Sequence, residues 1–406
     1  MLLNMVKGGR TINKDEYIYA AKSTYSDMVA WRRHIHSEPE RGLHLPKTTE
    51  LVKKALLDME LRPQNVGDGI VATIYGQQKG KCVLLRADMD ALPMPEKSGL
   101  PFASKIPGVN HACGHDMHTA MLLGAARILT EHKKDLRGCV KLMFQPDEEE
   151  GNGARQMLQA GVLEEPNVDV VIGIHTLVAT DVPTSSIAVS PGKTLASSDL
   201  FRIDVKGKGC HGARPEEGVD PINILCHIHS MLQTLISLER PQKEPAVLTI
   251  GQISAGSAPN AIPDEGFMAG TLRTFDNDIR ARLKRRIVEI AEGTAKSLGG
   301  SASVCYTAEM PSMSNDETVT KEVKGYLCEL IGSQNVVPMP ARMASEDFAE
   351  VMLKRPGVFL RLSVGSTDEG YTCKAHNPKV LFNEEAMPTG AAAYAWCASR
   401  WLAEHI

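Results

Sequence analysis

The chain has 406 residues, a length that predicts two or three domains. Hydrophobic residues make up 43% and charged residues 23%, which excludes a disordered chain and predicts a core that needs no disulfide or metal to hold it. A formal net charge of −4, only 5% aromatic residues and no basic stripe exclude a nucleic-acid partner.

The first 25 residues mix Lys7, Arg10, Lys14, Asp15 and Glu16 with few apolar side chains, so no signal peptide is expected. Residues 15–60 carry helical apolar spacing, broken at Pro39 and Pro46. Gly69–Tyr75 and Cys82–Arg86 read as strands, and 116–132 reads as a helix with Asp116 as its cap. Val140–Phe144 predicts a further strand, 153–160 a helix, and Val168–His175 another strand. Strands alternating with helices predict a layered α/β domain around a mostly parallel sheet.

The pattern changes after Pro191-Gly192. Leu200, Ile203 and Val205 mark a half-buried strand over 199–206. A helix at 221–238, strands at 246–254 and 267–275, a charged helix at 277–297 and a strand at 301–307 follow. This order predicts an α+β domain with a four-stranded antiparallel sheet and two helices. After Met310-Pro311 the α/β alternation resumes. The expected organisation is one larger domain from 1–193 and 310–406, interrupted by an inserted domain at 194–309. No run of about 18 apolar residues predicts a membrane span. Nine scattered cysteines without a CxxC pair predict reduced thiols and a cytoplasmic protein.

Four clusters offer donors that a metal ion needs to find converging on one point. They are Asn110–Thr119, with Cys113 and His115 in a glycine-containing loop; Phe144–Glu150, with Glu148, Glu149 and Glu150 after a hydrophobic strand; Gly173–His175; and Ala375–Pro378, with His376. Each has a plain alternative. Cys113 alone reads as a small buried hydrophobe or as a cysteine nucleophile. The three glutamates read equally as a solvated charge run, and His175 and His376 as satisfied core histidines. Asp88 and Asp90, at the end of another strand-like run, suit either an Asp/Pro turn or groups that orient a histidine ligand. His211, in Gly207–Gly212, sits on a glycine-rich turn without phosphate-loop spacing. His34, His36, His44, His227 and His229 read as structural.

Together these segments resemble the amidohydrolase branch of the aminoacylase/carboxypeptidase metallopeptidases. That branch includes hippurate hydrolase-like and auxin-conjugate hydrolase-like enzymes. The resemblance runs through Trp31–His36, Arg86–Pro93, His111–Thr119, Phe144–Glu149, Gly207–Gly212, Gly256–Pro263, Gly270–Phe275 and Ser345–Phe348. It implies a centre of two divalent ions (Mn, Zn, Co or Ni) on Cys113, His115, Glu149, His175 and His376. Glu148 matches the catalytic acid/base, and Asp88, read above as a group that orients a histidine ligand, is counted with it among the catalytic residues. His211 matches a substrate-contacting histidine on an inserted lid and dimerisation domain, Asn260 a position that holds the substrate carboxylate, and Arg273 lies in an adjacent motif. The implied reaction is hydrolysis of N-acyl amino acids or small peptides by a homodimer. A dipeptidase or carboxypeptidase of the same family and an inactive binding paralogue remain as alternatives. Asp147 and Glu150 depart from the usual Pro-x-Glu-Glu-Gly pattern, and Thr176-Leu-Val replaces an aromatic and a proline in a loop expected to shape the acyl pocket. Arg86 stands where other branches carry a metal-binding histidine.

Overall fold

A computed structural model describes residues 13–405. The chain forms two compact units. The first takes the described residues up to Gly192, then Ser314–Pro340 and those from Glu350 on. The second is Lys193–Met313 with Ala341–Ala349.

The first unit is built on an eight-stranded mixed sheet. In spatial order its strands are Gln64–Val66, Gly69–Tyr75, Arg137–Gln145, Gln78–Asp88, Val170–Leu177, Gly357–Ser363, Ile187–Ala188 and Val336–Val337. The central four run parallel, and the antiparallel pairings flank them. Central strands covered on both faces read as continuous apolar runs, and Arg137–Gln145 is buried at nearly every position. Helix His115–Glu131 is likewise buried nearly all round, because it lies inside the core beside the helices Tyr25–Ser37 and Met387–Glu404. The parallel strands all deliver their carboxyl ends to one edge of the sheet, where α/β folds place their ligands. Asp88, Gln145 and the His175–Leu177 segment stand at that edge.

Asp116 is not the helix cap that its position suggested. The helix starts one residue earlier, at His115, because Gly114 takes the left-handed conformation (φ 93°) at the N-cap. The Asp116 carboxylate instead turns inward and accepts from Arg32 Nε at 2.9 Å and His36 Nδ1 at 2.8 Å.

In the second unit, strands Ala246–Ala255, Glu265–Thr274, Ser198–Lys206 and Ser301–Met310 form an antiparallel sheet in that spatial order. Helices Pro221–Thr234 and Asn277–Ser297 supply Ile224, Ile228, Leu283 and Ile287 to its core. Asp220 and Asp276 cap these helices by accepting backbone N–H groups of their first turns. Among the described residues no helix is long and apolar enough to cross a membrane.

Candidate active site

Four segments of the first unit converge at the carboxyl edge of the sheet. The loop before helix His115–Glu131 brings Cys113 and His115. The turn after Arg137–Gln145 brings Glu148 and Glu149. Strand Val170–Leu177 brings His175, and a later turn brings His376. Cys113 Sγ lies 3.4 Å from His175 Nε2 and 3.3 Å from His376 Nε2. Glu149 Oε1 lies 3.5 Å from His376 Nε2 and 3.8 Å from His115 Nε2, and Glu148 Oε2 lies 3.9 Å from His115 Nε2. Two of the donor triplets compact enough to hold an ion are Cys113–His115–His175 and Cys113–Glu149–His376, which share the thiol.

The donor set fits a metal for a reason internal to the structure. His115 is fully buried, yet among the described residues neither of its ring nitrogens makes a hydrogen bond, and the buried Oε1 of Glu149 makes none either. Buried polar atoms are rarely left this way, and three in one cluster mark a site built for a ligand. Cys, His and carboxylate donors together suit a borderline divalent ion.

Behind the donors lies a network that fixes their orientation. His175 Nδ1 donates to Thr176 O at 2.7 Å, which leaves Nε2 as the lone-pair face toward Cys113. The Thr176 N–H donates to His118 Nε2 at 2.8 Å, so the His118 ring proton sits on Nδ1, facing Asp88 Oδ1 at 2.5 Å. Asp88 also accepts from Arg86 at 2.8 Å and lies 3.5 Å from His115 Nε2. Asp90 approaches His115 Nδ1 at 3.3 Å. Two residues of the site are non-glycines in left-handed conformation, Asp147 (φ 54°) and His376 (φ 63°), and each turns the chain where a donor must point inward.

The electrostatics follow from burial. Burial opposes charge on Asp88, but His115 and Arg86 beside it hold it ionised, below the usual carboxylate range. Burial, reinforced by Asp90, pushes Glu149 up to about 7 against the pull of His115. Burial and the neighbouring His118 keep His175 neutral, the form that binds a metal. Burial and the Glu149 charge push the Cys113 thiol up.

The remaining expected residues lie in the second unit. His211 is exposed and pairs with Ala261. Its Nδ1 accepts the Ala213 N–H at 3.1 Å, which leaves the proton of a neutral ring on Nε2. Gly212 donates to Asn260 O at 2.8 Å, and a Cβ on Gly212 would meet that oxygen at 2.8 Å, so the turn carrying His211 is packed directly on Asn260. Arg273 donates to Met343 O at 3.1 Å. Reading the sequence did not find the His118–Thr176–Asp88 linkage. It also missed the pairing of Asp90 with the glutamate turn and the Arg32–Asp116–His36 network. Only the density of polar residues in His111–Thr119 hinted at the first.

Comparison with known proteins shows what the chain is similar to. The model of Peptidase family M20/M25/M40 matches residues 84–400. An N-acetyl-L-cysteine deacetylase of Bacillus subtilis (strain 168) is 38% identical over 362 residues, covering 89% of this chain and 84% of that protein. The IAA-amino acid hydrolase ILR1-like 4 of Arabidopsis thaliana is 37% identical over 384 residues, covering 93% and 86%. The crystal structure of the Bacillus subtilis YXEP protein, described as a dinuclear metal binding peptidase from the M20 family, matches with a TM-score of 0.81 at 33% identity, covering 95% of this chain and 100% of that one.

Proposed function

The chain belongs to peptidase family M20/M25/M40 and is a metal-dependent hydrolase of amide bonds; from that premise we propose that it cleaves N-acyl amino acids, giving a carboxylate and a free amino acid. The observation that carries the reading is the unsatisfied, fully buried His115 at the centre of a thiol, imidazole and carboxylate cluster. Two relatives support the substrate class, one named for N-acetyl-L-cysteine and the other for IAA-amino acid conjugates.

In this reading Cys113, His115, Glu149, His175 and His376 would hold two divalent ions (Mn, Zn, Co or Ni). Bound there, the ions supply Lewis-acid polarisation of the amide carbonyl and a water acidic enough to ionise near neutral pH. Glu148 would accept a proton from the attacking water and return it to the leaving amine. Its place in the same turn as Glu149, with its backbone held by Asp90, supports this division of labour. Asp88 keeps the ligand histidines oriented. His211 donates from Nε2 to the developing oxyanion, and Asn260 and Arg273 hold the substrate carboxylate. Substituting alanine for His211 should lower kcat, whereas alanine at Asn260 should chiefly raise KM; unchanged kinetics would remove either residue from the site. The second unit also pairs two copies of the chain, a reading supported by exposed Ile222, Met231 and Leu238. A monomer by light scattering at working concentration contradicts it.

The substrate claim is tested by amine release from N-acetylcysteine, N-acetylmethionine, hippurate and a set of dipeptides. Acyl amino acids should be cut with higher kcat/KM than dipeptides, whose acyl side carries a free amine. The reverse order would make the protein a dipeptidase of the same family.

A further inference from the structure

Thr176 occupies a position where a role in shaping the acyl pocket was the obvious expectation, yet its side chain is buried and turned into the protein. Its contacts go to three segments of the site. Its hydroxyl donates to Cys113 O at 2.9 Å and lies 3.1 Å from His118 Nε2. Its N–H donates to the same nitrogen, and its carbonyl takes the Nδ1 proton of His175. His118, one helical turn beyond His115, passes the connection on to Asp88. Cys113, His118, Thr176 and Asp88 are buried, so their hydrogen bonds act in a medium where misalignment is costly.

We infer that Thr176 and His118 are positioning residues for one half of the two-ion centre. They clamp the Cys113–His115–His175 triplet and leave Glu149 and His376, which complete the other triplet with the shared Cys113, to be held by other segments. The asymmetry is visible in the contacts. The Thr176 hydroxyl holds the backbone of Cys113, its carbonyl holds the His175 imidazole, and His118 shares a helix with His115, whereas the Glu149 turn is fastened by Asp90. The inference rests on the two-ion reading above. It predicts that the two ions are lost separately when the clamp is cut.

The test loads wild-type protein, T176V, T176S and H118N with Co²⁺ and strips them with a graded chelator. Bound cobalt is followed by elemental analysis, by the absorption of the Cys113 thiolate–cobalt bond, and by activity. Valine keeps the shape of threonine and removes the hydroxyl. T176V should surrender one ion about 10–100-fold more readily than wild type and keep the other at wild-type affinity. Its thiolate absorption should shift, and kcat should fall while KM stays. T176S restores the hydroxyl and should restore all three readouts. H118N, which loses the acceptor for the Thr176 N–H, should reproduce T176V and provides the second route if valine impairs folding. Both ions leaving T176V and H118N at wild-type chelator levels, or both weakening together, overturns the inference. Wild-type protein that never takes up a second ion overturns the two-ion reading instead, which the stoichiometry distinguishes at once.

Discussion

Asp90 Oδ1 accepts the backbone N–H of Glu148 at 3.0 Å, and its Oδ2 accepts that of the next residue, Glu149, at 3.1 Å. One buried carboxylate at the end of one strand thus fixes the turn at the end of its neighbour, where the two glutamates must point the same way. Asp90→Ala strips two backbone donors of their acceptor. Each unsatisfied buried donor costs about 1–3 kcal/mol. Urea unfolding should therefore show a loss of about 3 kcal/mol, accompanied by a fall in kcat. Wild-type stability in the alanine variant would mean that the turn holds its shape without Asp90.

Gly114 has two reasons to be glycine. Its φ is 93°, and a Cβ there would sit 2.7 Å from Thr176 Oγ1. Gly114→Ala combines left-handed strain of about 1–2 kcal/mol with a collision inside the site. Thermal melting should report a destabilisation of that order, and the purified variant should retain less metal than wild type. Alanine tolerated with full metal content would show that the loop can shift away from Thr176 without consequence.

A third prediction concerns pH and leaves the metal cluster aside. His36 is buried between Asp116 at 2.8 Å and Glu96 at 3.1 Å. Burial pushes its pKa down, but the two carboxylates prevail and raise it from 6.5 to about 9. A pKa raised by folding stabilises the protein fully below about 6.5, and that contribution is lost as pH rises through about 9. The shift corresponds to about 3 kcal/mol. Glu96 has the opposite sign. Its pKa is lowered to about 2, despite burial, by the bonds from His36, Ser98 and Ser104, so its contribution is lost as pH falls from about 4.5 through 2. Unfolding of wild type and His36→Gln should be compared at pH 6 and pH 9.5. The stability gap between them should shrink by most of those 3 kcal/mol at the higher pH. A gap that is the same at both values would show that His36 carries no charge in the folded protein.

Glu148→Gln removes the proton acceptor and keeps the side chain's size. Turnover should fall by about 10²–10⁴-fold while metal content stays at the wild-type level. Retained activity would take the acid/base role away from Glu148.

Much of the fold was legible because its signals are local. Val140–Phe144 reads as a strand from its short run of mostly apolar residues and lies inside Arg137–Gln145, and 277–297 reads as a charged helix and is one. The mixed edges of the large sheet were not legible. Gln64–Val66, Ile187–Ala188 and Val336–Val337 are two- or three-residue strands, too short to show a period. The start of helix His115–Glu131 was misplaced by one residue because Asp116 has the right side chain for a cap but a different partner, Arg32, 84 residues away. The same limit applies at the site. Cys113, His115 and the glutamates declare themselves by clustering in sequence. The contacts that orient them join His118 to Asp88 across 30 residues and to Thr176 across 58, which no local pattern encodes.

The most direct test of the central claim is amine release from N-acetyl amino acids by chelator-stripped protein, before and after separate addition of Mn²⁺, Zn²⁺, Co²⁺ and Ni²⁺. The account predicts negligible release without metal and recovery with at least one of the four ions, saturating at two ions per chain. Undiminished cleavage by protein verified to be free of metal would contradict it and return Cys113 to consideration as a nucleophile.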